Sequence, residues 1–113
     1  MKPIPRSLLI HKVTLHRKES EDKWGRAELD MGTELTYVRL EPSSRVVRDK
    51  NNAEIQLAAV LFYDCRNSRP KGVTFQTDDV IIFNGQKHAV QAVEPLYDGR
   101  WLHHYELGLI RYA

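Results

Sequence analysis

The sequence predicts a mostly β chain that folds as a small antiparallel β-barrel or sandwich of five to six strands with two long polar loops. Two observations carry this prediction: short stretches in which apolar and polar residues alternate, and turn signals rich in Gly, Pro and Asn between them. The third observation is length, because 113 residues support one domain, residues 1–113, with its own core. A content of 42% hydrophobic and 28% charged residues excludes a disordered chain.

The first half of the chain contains two predicted strands. Residues 8–18 alternate apolar and polar side chains and form the first. A charged turn over residues 19–25 follows and contains one large aromatic residue, Trp24. Residues 34–41 form the second strand, with its even-numbered residues sharing one face, and Pro42 ends it because proline cannot donate to a ladder.

Two polar stretches flank an apolar run in the middle of the chain. Residues 43–54 are polar, interrupt the β pattern and form the first long loop. Residues 55–63 are continuously apolar apart from one glutamine and are predicted to form a buried strand. Residues 64–79 form the second long loop, and a loop of that length in so small a domain is usually functional or disordered.

The clearest local prediction is a β-hairpin over residues 80–93. Asn84 and Gly85 supply the two positive φ angles of a type I′ turn between two apolar strands. Pro95 is expected to close the second of these strands, and a turn at residues 98–99 precedes a last strand over residues 101–110. On that last strand Trp101 is expected to share the core face with the odd-numbered residues.

The residue pattern lacks recognisable catalytic machinery, so the prediction is that the chain is not an enzyme and has no catalytic residues or cofactor. His103 and His104 should point to opposite faces of their strand, which is poor geometry for a shared metal, and no metal site is predicted. Cys65 is the only cysteine, which excludes an intramolecular disulfide and fits a reducing compartment. No motif places a general base beside it, so we expect an idle thiol.

The charge pattern is mildly basic, with a net charge of +2 and a pI of about 8.8, far from the dense positive stripe of a dedicated nucleic-acid binder. Two basic clusters lie in the predicted loops, and each allows two interpretations: phosphate contact or simple solvation of a surface loop. Trp24 likewise either folds back on the core or meets a partner. The clusters are Arg45, Arg48 and Lys50 in the first loop, and Arg66, Arg69 and Lys71 in the second.

Membrane insertion and secretion are not expected. No apolar stretch approaches the ~20 residues needed to span a bilayer. The first residues, MKPIPR, have neither an apolar core nor a small-residue cleavage site. We therefore expect no secretory signal and a protein that is initially cytoplasmic.

The chain as a whole resembles the minor capsid proteins of tailed bacteriophages and prophages, small proteins of the head–tail connector. The resemblance extends over nearly the whole chain, and no part of it is a chemical motif such as a metal cage. The segments that carry it are PIP and LLIH at residues 3–5 and 8–11, DKWG at 22–25, VRLEP at 38–42, NSRPKG at 67–72, DVIIFNGQ at 79–86 and LHHYEL at 102–107.

The resemblance implies a stopper-like or head-completion-like ring subunit at the head–tail junction of the virion, assembled in the cytoplasm of a bacterial host. Expected partners are further copies in a ring of about six or twelve subunits, a portal or adaptor protein on the head side, a tail-joining protein on the tail side, and packaged double-stranded DNA. In such proteins the loop after the second strand reaches into the central channel. Carried onto this sequence, that loop offers Arg45, Arg48 and Lys50 to DNA or to neighbouring subunits, whereas Trp24, Arg66, Arg69 and Lys71 are interface candidates.

The main alternative is a small β-barrel that binds nucleic acid, in which sheet aromatics stack on bases beside a basic groove. The residues argue against it, because Tyr63, Phe83, Trp101 and Tyr105 lie among apolar neighbours and are expected in the core. Adaptor and tail-joining roles remain open beside the stopper role.

Overall fold

The computed structural model describes every residue except Asp22, Lys23, Gly25, Arg26 and Ala113. The predicted turn at residues 19–25 therefore lies largely outside the described residues. The described residues form strands and no helix. The strands are β1 (His11–His16), β2 (Lys18–Glu21), β3 (Ala27–Leu29), β4 (Thr33–Pro42), β5 (Val46–Arg48), β6 (Glu54–Gln56), β7 (Ala59–Asp64), β8 (Val80–Phe83), β9 (Gln86–Asp98) and β10 (Trp101–Arg111).

Six of these strands close into an antiparallel barrel in the order β1-β4-β7-β10-β9-β8, with β8 pairing back onto β1. The prediction of a small, mostly β barrel is confirmed, and the barrel replaces the sandwich alternative. The remaining strands form two hairpins, β2–β3 and β5–β6, that are separate from the barrel sheet. The chain therefore combines one closed sheet with two short appendages.

The barrel interior is a single apolar cluster. Leu35, Leu61, Ile81, Leu107 and Leu109 are fully buried in it, and they come from four of the six barrel strands. β7 has no exposed residue, which confirms the prediction that the apolar run contains a buried strand. The run nevertheless breaks into β6 and β7: the Leu57 N–H donates to the Arg45 carbonyl just before β5, whereas the next N–H, of Ala58, donates to Leu109 of barrel strand β10.

The predicted Asn-Gly hairpin is confirmed, since β8 and β9 flank Asn84 and Gly85, whose φ angles are 50° and 77°. The expectation that Pro95 ends the second strand is wrong, because β9 continues to Asp98. β8 pairs with β9 only as far as Ala89, so Pro95 has a single neighbouring strand, the kind of edge position at which a sheet tolerates proline.

The predicted alternation of the second strand is interrupted in β4. Val13 pairs with Leu35 and His11 with Val38, so β4 carries one residue more than β1 between these pairs. Tyr37 takes up the extra residue with a φ of 54°, and the buried residues are consequently Leu35 and Val38, one odd-numbered and one even-numbered. Pro42 ends the strand as predicted.

The prediction of a first long loop over residues 43–54 is wrong, because residues 43–58 fold into the β5–β6 hairpin. The Asp49 carboxylate closes the turn of this hairpin by accepting two nearby backbone N–H groups, a role that the polar composition of the segment did not reveal. The second, residues 65–79, is irregular as predicted, and we call it the end-cap segment. Its Phe75 packs edge-on against Tyr63 and Tyr105 in the core, at ring-centroid distances of 5.3 and 5.2 Å.

Strand direction places these features at opposite ends of the barrel. The β5–β6 hairpin joins the end of β4 to the beginning of β7. The end-cap segment leaves from the other end of β7, where β10 begins and the β9–β10 hairpin turns. One end of the molecule therefore carries a projecting hairpin, and the other carries a packed irregular segment.

Candidate assembly and nucleic-acid surfaces

The β5–β6 hairpin carries the first basic cluster on its outside. The Arg48 guanidinium donates to the Asn52 carbonyl at 2.8 Å and to the Glu54 carboxylate at 3.1 Å. Lys50 is exposed in the turn between the two strands. Asp49 closes this turn by accepting the backbone N–H groups of Asn51 and Ala53 at 2.8 and 2.9 Å. Arg48 and Lys50 are thus presented at the end of a two-stranded projection.

The base of the hairpin lies against the outer face of the barrel. Leu57 is buried, and its side chain covers Gly108 so closely that a Cβ at that position would lie 3.0 Å from Leu57 Cδ1. Arg45 reaches Glu94 of β9 with an N–O distance of 3.5 Å between two exposed side chains. Exposed ion pairs of this kind contribute little stability, so Arg45 is available to exchange partners.

The second basic cluster lies at the other end, in the end-cap segment. Arg69 turns inward, and its guanidinium donates to the carbonyls of Arg66 and Ser68 at 2.6 and 2.9 Å. Its backbone also pairs with Thr36 of β4. Arg66 and Lys71 are exposed. The structure therefore separates the two clusters, and Arg69 has a structural bond network where the sequence suggested a surface contact.

Asp64 organises the end-cap segment, and the sequence analysis missed it. This fully buried carboxylate accepts three backbone N–H groups, those of Ile4, Arg66 and Asn67, at 2.9, 3.0 and 2.8 Å. Ser68 accepts the Asp64 N–H at 2.8 Å and donates to the Tyr37 carbonyl. An Asp followed by Ser four residues later is too common a pattern to have identified this anchor.

Asp79 is likewise a structural carboxylate. It is almost fully buried, binds the Arg17 guanidinium and accepts the Gln76 N–H at 2.8 Å. Arg17 also donates to the Thr74 carbonyl at 2.5 Å, so it fastens the second half of the end-cap segment to the barrel. The neighbouring Asp78 is exposed, and the two carboxylates occupy different environments.

The tip of the β9–β10 hairpin exposes two aromatic side chains. The expectation that Trp101 lies in the core is wrong: it is 76% exposed, and Tyr97 is 60% exposed. The reason is that β7 pairs with β10 only from His104 onward, so the tip extends past the barrel. Between the tip and the Cys65–Arg66 backbone lies a cleft of about 590 Å³ that Leu102 and His103 also line.

The expectation that His103 and His104 face opposite ways is also wrong. The register of β10 on β9 shifts between Leu102 and His104, and this bulge brings the two imidazole rings together. Their Nδ1 atoms are 2.7 Å apart, and the centroids of the perpendicular rings are 5.0 Å apart. No sequence signal marks the bulge, because a strand with regular alternation separates adjacent residues.

Burial raises the pKa of the Cys65 thiol, and the neighbouring Asp64 carboxylate raises it further. A thiol in this state is a poor nucleophile, which agrees with the expected idle cysteine. Among the described residues there is no cluster of three or more His, Cys, Asp or Glu that could hold a metal ion. A search of the same residues finds no helix that could span a membrane.

Trp24 lies between β2 and β3 and is 68% exposed, so it does not fold back fully on the core. It belongs to the same end of the barrel as the end-cap segment, because β1 ends there and β4 begins there. The predicted interface residues Trp24, Arg66 and Lys71 thus share one end of the molecule, and Arg45, Arg48 and Lys50 share the other.

Comparison with known proteins gives one family. A family model described as minor capsid protein matches residues 5–109 of the chain. The match includes the entire barrel from β1 to Leu109 of β10, both hairpin appendages and the end-cap segment. The comparison with curated proteins returned no match.

Proposed function

Because this chain belongs to the minor capsid protein family, with a structural role in a phage virion, we propose that it is a ring-forming subunit of the head–tail connector. In this proposal it acts as a stopper-like or head-completion-like part that helps to close the DNA channel and to join head to tail. The observation that carries the proposal is the β5–β6 hairpin, which follows the second strand of the barrel and projects from it with Arg48 and Lys50 near its turn.

A ring of subunits gathers more positive charge than a single hairpin carries. One copy offers only a few positive charges, and Arg48 is paired with Glu54 within the hairpin. Repeated around a channel, the same charges act together on the phosphates of packaged DNA, since fields from a ring of like charges add at its axis. Arg45 strengthens this field if it leaves Glu94, a surface pair of little energetic consequence.

Ring closure requires head-to-tail contacts between two different patches of each subunit. The end of the barrel opposite the hairpin offers exposed side chains of the types enriched at protein interfaces: Trp24, Tyr97, Trp101 and Arg66. We propose that this end contacts neighbouring copies or the proteins above and below, namely the portal or adaptor protein and the tail-joining protein.

Native mass spectrometry of the pure protein, alone and mixed with the portal or adaptor protein of the same phage, tests the ring. A discrete ring of about six or twelve copies in either sample supports the proposal. A chain that stays monomeric with every neighbouring connector protein contradicts it.

The role of the hairpin is tested in particles that carry the double substitution Arg48→Glu and Lys50→Glu. We expect particles that assemble normally but lose packaged DNA, because the substitutions replace positive charge by negative charge at the hairpin turn. The control is Lys12→Glu, an exposed charge reversal on β1 of the barrel wall, outside the hairpin and outside the residues proposed for subunit contacts, which should retain DNA. Normal DNA retention by the double variant overturns the assignment of the hairpin to the channel.

The second candidate, a nucleic-acid-binding barrel, is favoured by one observation: the exposed Trp101 lines the same cleft as Arg66, and Tyr97 is exposed on the same hairpin tip. Exposed aromatics next to a cation are the elements that stack on single-stranded bases. Mobility-shift titration with short single strands separates the two functions. Salt-sensitive binding by the monomer that is lost on Trp101→Ala supports the second candidate, and binding only by an assembled ring supports the connector.

A further inference from the structure

The two histidines at the β10 bulge form a continuous chain of hydrogen bonds. His104 Nε2 lies 2.9 Å from Glu106 Oε2, and His104 Nδ1 lies 2.7 Å from His103 Nδ1. His103 Nε2 lies 2.6 Å from the backbone carbonyl oxygen of Lys2. All four ring nitrogens therefore have a partner, and the chain runs from a β10 carboxylate to the N-terminal segment (residues 1–10).

Counting protons along this chain fixes its charge. A carboxylate and a carbonyl oxygen only accept hydrogen bonds, so both Nε2 atoms carry a hydrogen. The contact between the two Nδ1 atoms needs one hydrogen between them, since two lone pairs at that distance repel. Three protons on four nitrogens make one ring neutral and the other charged. We propose that His103 and His104 together bind one additional proton, as an imidazolium–imidazole pair that fastens the N-terminal segment to the barrel.

The surroundings place the positive charge on His104. The Glu106 carboxylate is bound directly to it, and both side chains are largely buried, with 16% and 21% exposed. The Phe62 ring stacks against His104 at a centroid distance of 6.4 Å. The other titratable or charged groups around the pair are Asp64 at the end of β7, Cys65 and Arg66 in the end-cap segment, Glu94 (directly opposite Glu106) and Asp98 on β9, and Lys2 and the Met1 amino group in the N-terminal segment.

Three of these neighbouring acids have their own partners. The carboxylate of Asp64 is occupied by backbone N–H groups, that of Glu94 pairs with Arg45, and that of Asp98 binds the Met1 amino group. Glu106 is therefore the negative group positioned to balance the charge on His104.

The chain of bonds is complete only in a window of pH. Removing the shared proton at higher pH leaves two Nδ1 lone pairs facing each other or removes a hydrogen from one of the Nε2 contacts. Adding a fourth proton at lower pH sets two N–H groups of like charge against each other. In both cases the hold on the Lys2 carbonyl weakens, and the next contact along the segment, Ile4 N–H to Asp64, becomes easier to open.

Nitrogen-15 NMR of the imidazole rings, together with amide hydrogen exchange at Ile4, tests the proposal on the intact chain. We expect His104 to be protonated on both nitrogens near neutral pH and His103 on Nε2 alone. We also expect the protection factor of the Ile4 amide, which corrects its exchange rate for the intrinsic pH dependence of amide exchange, to fall by about tenfold or more on either side of the window, because a hydrogen bond that involves a charged group is lost.

Matched variants separate the shared proton from a general loss of structure. His104→Gln and Glu106→Gln should flatten the pH profile of Ile4 exchange, and Glu106→Gln keeps an amide oxygen that can accept from His104. The control His16→Gln removes a histidine that binds the Asp30 carbonyl at 2.9 Å elsewhere on the barrel, and should leave the profile unchanged.

Two outcomes overturn the proposal. The first is neutral rings at both positions near neutral pH with an Ile4 profile that Glu106→Gln does not alter. The second is stoichiometric binding of added Zn²⁺ by the two Nδ1 atoms, which would make the pair a metal ligand instead of a proton site. Neither the proposal nor its test depends on whether the chain forms a connector ring.

Discussion

The β5–β6 hairpin and the end-cap segment differ in the way their backbones are held. The hairpin has regular strands, yet its tip is exposed, and its bonds are mostly within itself, as between Arg48 and Glu54. The end-cap segment has no regular structure, yet the Asp64 carboxylate and the Tyr63 hydroxyl of β7 bind its backbone, and its own Ser68 hydroxyl accepts the backbone N–H of Asp64. Regular secondary structure and firm attachment are thus separate properties, and in this molecule the regular element is the less firmly attached one.

Equivalent substitutions at Asp64 and Asp49 give the largest expected contrast. Each carboxylate closes a turn by accepting nearby backbone N–H groups, but Asp64 is fully buried and Asp49 is not. We expect Asp64→Ala to lower the free energy of unfolding by about 4 kcal/mol, because three donors lose their acceptor away from water. Asp49→Ala should cost less than about 1 kcal/mol.

Urea unfolding of both variants measures this contrast. Equal losses would mean that burial of the acceptor does not decide how firmly the two turns are held.

Arg17→Met should have the next largest effect, again at the end-cap segment. It leaves the nearly buried Asp79 carboxylate without its cation and frees the Thr74 carbonyl. We expect a loss of about 2 to 3 kcal/mol, below that of a fully buried pair because 33% of the Arg17 side chain is exposed. Thermal unfolding checks it, with Arg48→Met as the matched control on the hairpin, and a loss in the control as large as that of Arg17→Met would contradict the comparison.

The attachment of the hairpin is tested by Gly108→Ala. The new methyl group would lie 3.0 Å from Leu57 Cδ1 and would displace the base of the hairpin. We expect a loss of about 1.5 kcal/mol, together with faster amide exchange at Leu57, whose N–H donates to the Arg45 carbonyl at 2.9 Å.

The double variant Gly108→Ala, Leu57→Ala should show non-additive losses, because the second substitution removes the side chain that the first displaces. Strict additivity would show that the methyl group acts elsewhere.

Tyr63→Phe should have the smallest effect at neutral pH, about 1 kcal/mol, because one hydrogen bond to the Pro70 carbonyl is lost. Burial raises the pKa of Tyr63, so the native state holds the phenolic proton more tightly than the unfolded chain. The stability from this difference is therefore full below the unfolded pKa of about 10 and is lost as the pH rises past it.

Stability measured from pH 8 to pH 11 in parallel for both proteins checks this prediction. The wild type should lose more than Tyr63→Phe over that range, and parallel profiles would contradict it.

The sequence was sufficient for the features that depend on local patterns. Alternation predicted the barrel class, and Asn84 with Gly85 predicted the β8–β9 hairpin. The sequence was insufficient where one inserted residue moves the following side chains of a strand to its other face. This happens at Tyr37 and between Leu102 and His104, because the pairing of strands distant in the sequence decides where such a bulge lies.

The candidate surfaces were likewise predictable from the sequence only in part. Composition identified Arg48 and Lys50 as exposed and basic, but it could not show that they lie on a hairpin or that Arg69 turns inward. The exposure of Trp101 depends on β7 being shorter than β10, a length difference that becomes visible only when strands are paired.

Closure of the barrel also bears on how separate copies of the chain coexist at high concentration. A sheet that returns to its first strand leaves few unpaired backbone groups that could act as a template for another chain. The free edges among the described residues are the two short hairpins, one of which carries charged side chains, and β9 beyond Val90, where the strand pairs only with β10 and Pro95 interrupts the row of N–H donors. Strand-to-strand polymerisation in a crowded host cell is therefore disfavoured, because each edge that remains is short, charged or interrupted by proline.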